Sequence, residues 1–139
     1  MSLQKSIEDG FVKRIPVDMF QARSLIKASN DAIETALKIP LTENTSKTIL
    51  RELYEGLRQY CEALGFFQGY KFLSHEVITV FLDERLNEKL IATYFDRYRK
   101  IRNGINYYGK DISLETVKDA LNEIPKIILK LKKHEQIMH

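Results

Sequence analysis

The stretch Leu50-Arg51-Glu52-Leu53-Tyr54-Glu55-Gly56-Leu57-Arg58-Gln59-Tyr60-Cys61-Glu62-Ala63-Leu64-Gly65-Phe66-Phe67 decides the fold of this chain. Leu50, Leu53, Leu57, Tyr60, Leu64 and Phe67 succeed one another at steps of three and four, the period of one face of an α-helix. Tyr54 and Cys61 flank that track and widen its apolar face. So wide a face predicts a central helix with neighbours on more than one side. Gly69 follows as the natural stop, since glycine takes positive φ at no steric cost.

Working outward, the same period recurs on both sides. Upstream, Asp18 is a plausible N-cap for a helix carrying Leu25, Ala28, Ala32, Ala36 and Ile39, and Pro40 ends it. Downstream, Ser74 is expected to cap a shorter helix with Val77, Ile78, Val80, Phe81 and Leu82. Its β-branched residues suit a strand equally well. A further helix is expected from about Asn87, with Ile91, Tyr94, Tyr98, Ile101, Ile105 and Tyr108 along one seam. The last is capped by Ser113 and buries Val117, Leu121, Ile124, Ile128 and Leu131, with Pro125 inside it. No other segment alternates as a strand does. The pattern predicts one all-α domain over 1–139, an up-and-down bundle of four to five helices. Residues 1–15 are expected either in the bundle or as a short extra segment in front of it.

Composition agrees and excludes several classes. With 44% hydrophobic and 29% charged residues among 139, the chain is too apolar for disorder and too charged for a membrane protein. One cysteine, Cys61, cannot make an internal disulfide, which favours a reducing compartment. No signal-like segment opens the chain, and no apolar run approaches the ~18 residues that cross a bilayer. A cytoplasmic protein without a membrane partner is the expectation. The net charge of +3 names no partner by itself.

Little in the sequence points to familiar catalysis. His75, His134 and His139 lie far apart, with no cysteine or histidine at ligand spacing, so no metal is expected. There is no phosphate-binding glycine loop and no nucleophile elbow, so no cofactor is expected either. Cys61 sits beside the apolar seam, where a thiol behaves as a small hydrophobe with a raised pKa. What stands out is Arg97-Tyr98-Arg99-Lys100-Ile101-Arg102-Asn103-Gly104-Ile105-Asn106-Tyr107-Tyr108-Gly109-Lys110. From Tyr94 to Lys110, five basic residues face one acid, Asp96. Arg99, Arg102 and Asn106 step along one helical face, about 100° from the buried seam, with Asn103 and Tyr107 as a neighbouring pair. Guanidinium, amide and phenol groups in such a row suit phosphate clasping and base stacking. An ordinary solvated helix face has the same appearance. His75, at the first turn of a short helix, is expected to be a loop histidine bonding backbone groups, with a ligand-contacting role as the alternative. Lys126, Lys130, Lys132 and Lys133 are expected to be the solvated side of the last helix.

The order and spacing of these pieces resemble the HEPN domain family, small all-helical proteins. The resemblance runs from about Gly10 to Lys133. It rests on Gly10-Phe11-Val12-Lys13-Arg14-Ile15-Pro16, on Leu53, Tyr54, Leu57 and Ala63, on Gly69-Tyr70-Lys71 and Ser74-His75-Glu76, and on Arg102 through Tyr107. It implies a homodimer in which the arginine-bearing helices of two protomers meet in one cleft. Active members are metal-independent ribonucleases, often toxins paired with a small nucleotidyltransferase antitoxin. Their motif is an arginine, commonly followed by a polar residue, with a histidine a few residues on. Here Arg102 and Asn103 match its start, and Tyr107 stands in the place of the histidine. An imidazole titrates near neutrality and a phenol does not, so efficient cleavage through Arg102 and Tyr107 is not expected. The resemblance therefore implies RNA or nucleotide binding by Arg99, Arg102, Asn103, Asn106 and Tyr107. The rival expectations are a protein-interaction module pairing with a nucleotidyltransferase and a weak metal-independent ribonuclease.

Overall fold

The computed structural model describes residues 2–138. Among them the protein is mostly helical, 75% helix against 4% strand, with six helices and one two-stranded ribbon. Helix α1 spans Leu3–Glu8, strand β1 Val12–Arg14, α2 Met19–Lys38, α3 Ser46–Phe67, β2 Tyr70–Phe72, α4 Glu76–Val80, α5 Lys89–Tyr108 and α6 Leu114–Leu131. A π-helical turn, Phe81–Arg85, prolongs α4, and a 3-10 segment, Lys132–Met138, follows α6.

The long helices start and stop where local chemistry requires. The Asp18 carboxylate accepts the Gln21 amide at 2.9 Å and Ser113 Oγ accepts that of Thr116 at 3.1 Å. Helix α2 ends at Lys38 because Ile39, ahead of Pro40, is pushed into extended backbone. Helix α3 is the centre: it packs on α2, α5, α6 and β2, and Leu50, Leu53, Leu57 and Leu64 are fully buried. Against α2 the approach is close. Ser29 Oγ donates to the Gly56 carbonyl at 2.6 Å, and a Cβ on Gly56 would lie 2.7 Å from Ile33 Cδ1. Cys61 is wholly buried, and burial pushes its thiol pKa up.

Four features differ from the sequence expectation. There are six helices rather than four or five, because α1 forms ahead of the bundle and packs on the π turn, where the Leu3 amide donates to Glu84 at 3.1 Å. A ribbon exists that no alternation announced. Val12 pairs with Phe72, Lys13 with Lys71 and Arg14 with Tyr70, antiparallel. Three-residue strands are too short to show a period, and their partners are distant in sequence. Ser74 is not the N-cap of α4; His75 holds that position while Ser74 Oγ accepts the Glu76 amide at 3.1 Å. Tyr108, expected in the seam of α5, is exposed. Helix α5 outruns the core beyond Ile105 and stops at Gly109, whose φ is 61°.

The ribbon matters to the site. Gly69, at φ 80°, turns the chain out of α3 so that its carbonyl accepts the Ile15 amide at 2.9 Å. The Leu73 amide then donates to Phe11 at 2.9 Å, which pins the residues leading into α4. Helix α4 packs on α5. His75 is thereby delivered beside Arg102.

Candidate functional site

An open cleft of about 350 Å³ lies between the start of α4 and the last turns of α5. From α5 it is lined by Arg99, Arg102, Asn103 and Tyr107, and from the other side by Leu73, Ser74, His75 and Glu76. Four of the five residues singled out on α5 thus share one cavity. Asn106 does not. Its Oδ1 accepts Arg51 Nε at 2.7 Å on an exposed part of the surface, so the row read along one helical face divides between two sides.

The cations of α5 are not equivalent. Arg97 lies 3.5 Å from Glu123. Arg99 donates to Asp96 at 2.8 Å, and Lys100 meets the other oxygen of the same carboxylate at 2.9 Å. Burial works to raise the Asp96 pKa, but the bonds from Lys100 and Arg99 prevail and hold it below its ordinary value. Arg102 has no carboxylate partner among the described residues. Its guanidinium carbon sits 4.9 Å from the Tyr54 ring centroid and 6.0 Å from that of Tyr107. One terminal nitrogen lies 2.8 Å from His75 Nδ1, while Nε is buried without a hydrogen-bond partner. Cation–π contacts hold this charge without neutralising it.

His75 is the residue the sequence reading misplaced. Its partners are side chains, Arg102 and the Tyr54 hydroxyl at 3.1 Å, rather than backbone groups. Since a guanidinium only donates, Nδ1 is an acceptor and the ring proton resides on Nε2. Burial, then the Arg58 and Arg102 charges, push the imidazole down to about 4, against an opposing pull from Glu55. It is therefore neutral near pH 7. Burial likewise pushes Tyr54 up to about 12, with the Arg102 hydrogen bond opposing. Nothing local signals this arrangement: Tyr54 reads as core and His75 as loop, and their meeting with Arg102 is a tertiary event. Glu76 adds an exposed carboxylate to the lining, so the cleft is polar and mixed in charge, with Arg102 its one unneutralised cation among the described residues.

Lys126, Lys130, Lys132 and Lys133 are exposed and outside the cleft lining, and Lys133 lies 3.4 Å from Glu88. Among the described residues no group of three metal-ligating side chains occurs, and no helix is long and apolar enough to cross a membrane. The chain matches no family model, and no curated protein or solved structure matches it significantly.

Proposed function

We propose that this protein is a HEPN-like helical domain that binds RNA or a nucleotide by capturing phosphate at Arg102. The observation that carries the reading is the guanidinium itself: half-buried in an open cleft, stacked on Tyr54, and without a carboxylate, whereas its neighbours Arg97, Arg99 and Lys100 each have one. A phosphate oxygen supplies the missing negative charge through charge-assisted bonds. Asn103 orients the phosphate, and the exposed ring of Tyr107 offers a face for a base. As an RNA-binding domain it acts as a homodimer in a reducing, cytoplasmic setting, with the two clefts joined into one groove.

Cleavage is slow or absent on this reading. Tyr107 is no substitute for an imidazole, and His75, pushed down to about 4, is a weak base near neutrality and lacks the imidazolium form that makes a good acid. The test is binding of a labelled single-stranded RNA by wild type and Arg102→Ala across a salt series with chelator present. Loss of one phosphate contact should weaken binding about tenfold and lower the log–log salt slope by roughly 0.7. Equal binding by the two proteins defeats the proposal, and rapid cleavage by wild type defeats its second half. Binding of a nucleotidyltransferase with no affinity for RNA would instead favour an interaction module.

A further inference from the structure

We propose that His75 is a positioning residue that couples anion binding at Arg102 to the uptake of one proton, so that the cleft holds a phosphodiester more tightly as the pH falls. The inference rests on the phosphate-binding reading above and adds its regulation.

Arg102 donates to His75 Nδ1 at 2.8 Å, so the imidazole serves as the acceptor that a carboxylate supplies elsewhere on α5. Protonating Nδ1 would set two donors, and two positive charges, against each other. The surroundings reinforce this. From α3, His75 faces the Tyr54 hydroxyl, Arg58 and Glu55; from α5, Arg102 and Arg99. Glu76 is its chain neighbour, and Tyr107 lines the same cleft. Arg58 is held by Glu55 and Glu62, and Arg99 by Asp96, which leaves Arg102 as the uncompensated charge. Burial first, then the Arg58 and Arg102 charges, favour the neutral ring and place His75 at about 4.

A phosphodiester bound to Arg102 opposes the part of this preference that the guanidinium causes and adds a negative charge beside the ring. Its charge neutralises the guanidinium, and the amino group that served His75 turns to a phosphate oxygen. Nδ1 is then free to take a proton from solvent, keep it, and donate a hydrogen bond through it to a second oxygen. No bond of the phosphodiester changes; one proton enters with the anion and stays on His75. If binding restores His75 only to the ordinary histidine value of about 6.5, linkage makes the affinity rise about tenfold between pH ~8 and pH ~5.5.

The probe is uridylyl-uridine, whose single phosphodiester charge and uracil rings do not titrate in this range. Its affinity for wild type, His75→Gln and Arg102→Ala is measured by NMR titration from pH 5.5 to 8, while the His75 ring nitrogens of wild type are titrated with and without it. The expected result is a roughly tenfold gain for wild type toward low pH, a flat profile for a His75→Gln protein that still binds, and an upward move of the His75 titration when the probe is present. Binding that depends on Arg102 but not on pH, or a His75 titration that the probe leaves in place, overturns the coupling and leaves the phosphate reading standing. No binding at any pH, or binding that Arg102→Ala leaves unchanged, overturns both. The ring titration needs no variant, so a misfolded His75→Gln protein does not rescue the idea.

Discussion

Arg58 on α3 and Arg102 on α5 are both substantially buried arginines near His75, and they are satisfied in opposite ways. Arg58, its side chain 17% exposed, is bracketed by Glu55 and Glu62 on its own helix. Arg102 has two aromatic rings and a neutral imidazole. Removing one member of a largely buried ion pair leaves the other charges uncompensated, whereas a guanidinium held by rings and a neutral acceptor leaves no ion behind. The first arrangement compensates its charge within its own helix, and the second leaves a charge without a carboxylate in an open cleft.

The sharpest way to break this contrast is to delete each arginine in turn. Arg58→Ala should destabilise the protein by about 1–3 kcal/mol, discounted for partial exposure, because Glu55 and Glu62 then repel unopposed. Thermal denaturation measures it, and an unchanged Tm would mean that Arg58 is no more structural than Arg102. Arg102→Ala should move stability by less than about 1 kcal/mol while costing RNA affinity about tenfold, or ~1.4 kcal/mol. A large loss of stability with no loss of affinity would exchange the two roles.

Acid should separate the regions next. His75 is depressed to about 4 in the fold against about 6.5 in the unfolded chain, so between those values the unfolded state binds the extra proton. Stability therefore rises with pH across that window and falls as the pH drops below about 6.5. His134, also lowered, first by burial, acts in the same sense. His75→Gln should flatten the part due to the cleft, read from urea midpoints at pH 5 and 7; an unchanged difference between those midpoints would remove His75 from the account.

Smaller effects sharpen the comparison further. Asp96→Asn releases Arg99 and Lys100 from their shared carboxylate and should raise RNA affinity about threefold with a steeper salt dependence. Asn106→Ala, outside the cleft on an exposed bond to Arg51, should change stability by less than about 0.5 kcal/mol and leave binding alone. A tenfold binding defect there would return Asn106 to the site.

The helices could be read without coordinates because their signals are local. Asp18, Ser113 and the Ile39-Pro40 step act within a few residues, and the seam through Leu50, Leu53, Leu57 and Leu64 repeats often enough to declare its period. The basic character of α5 and the candidacy of Arg102, Asn103 and Tyr107 were legible for the same reason. Nothing of that kind reports the pairing of Val12–Arg14 with Tyr70–Phe72, in which three residues meet three others far along the chain. Nor does periodicity distinguish Arg99 from Arg102, since each follows from one helix as a basic residue beside the seam.

The Arg102 half of that distinction arises when the ribbon and α4 bring His75 against α5. Asp96, one turn earlier in the same helix, is what occupies Arg99. Sequence alone determined the long helices, the caps at Asp18 and Ser113 and the buried face of α3, because backbone hydrogen bonding and apolar spacing act over a few residues. Tertiary structure decided which cation stays unneutralised, which histidine it meets and that Asn106 lies elsewhere. Burial, titration and contacts between helices depend on distances across the fold, and those exist only once α3, α4 and α5 have packed.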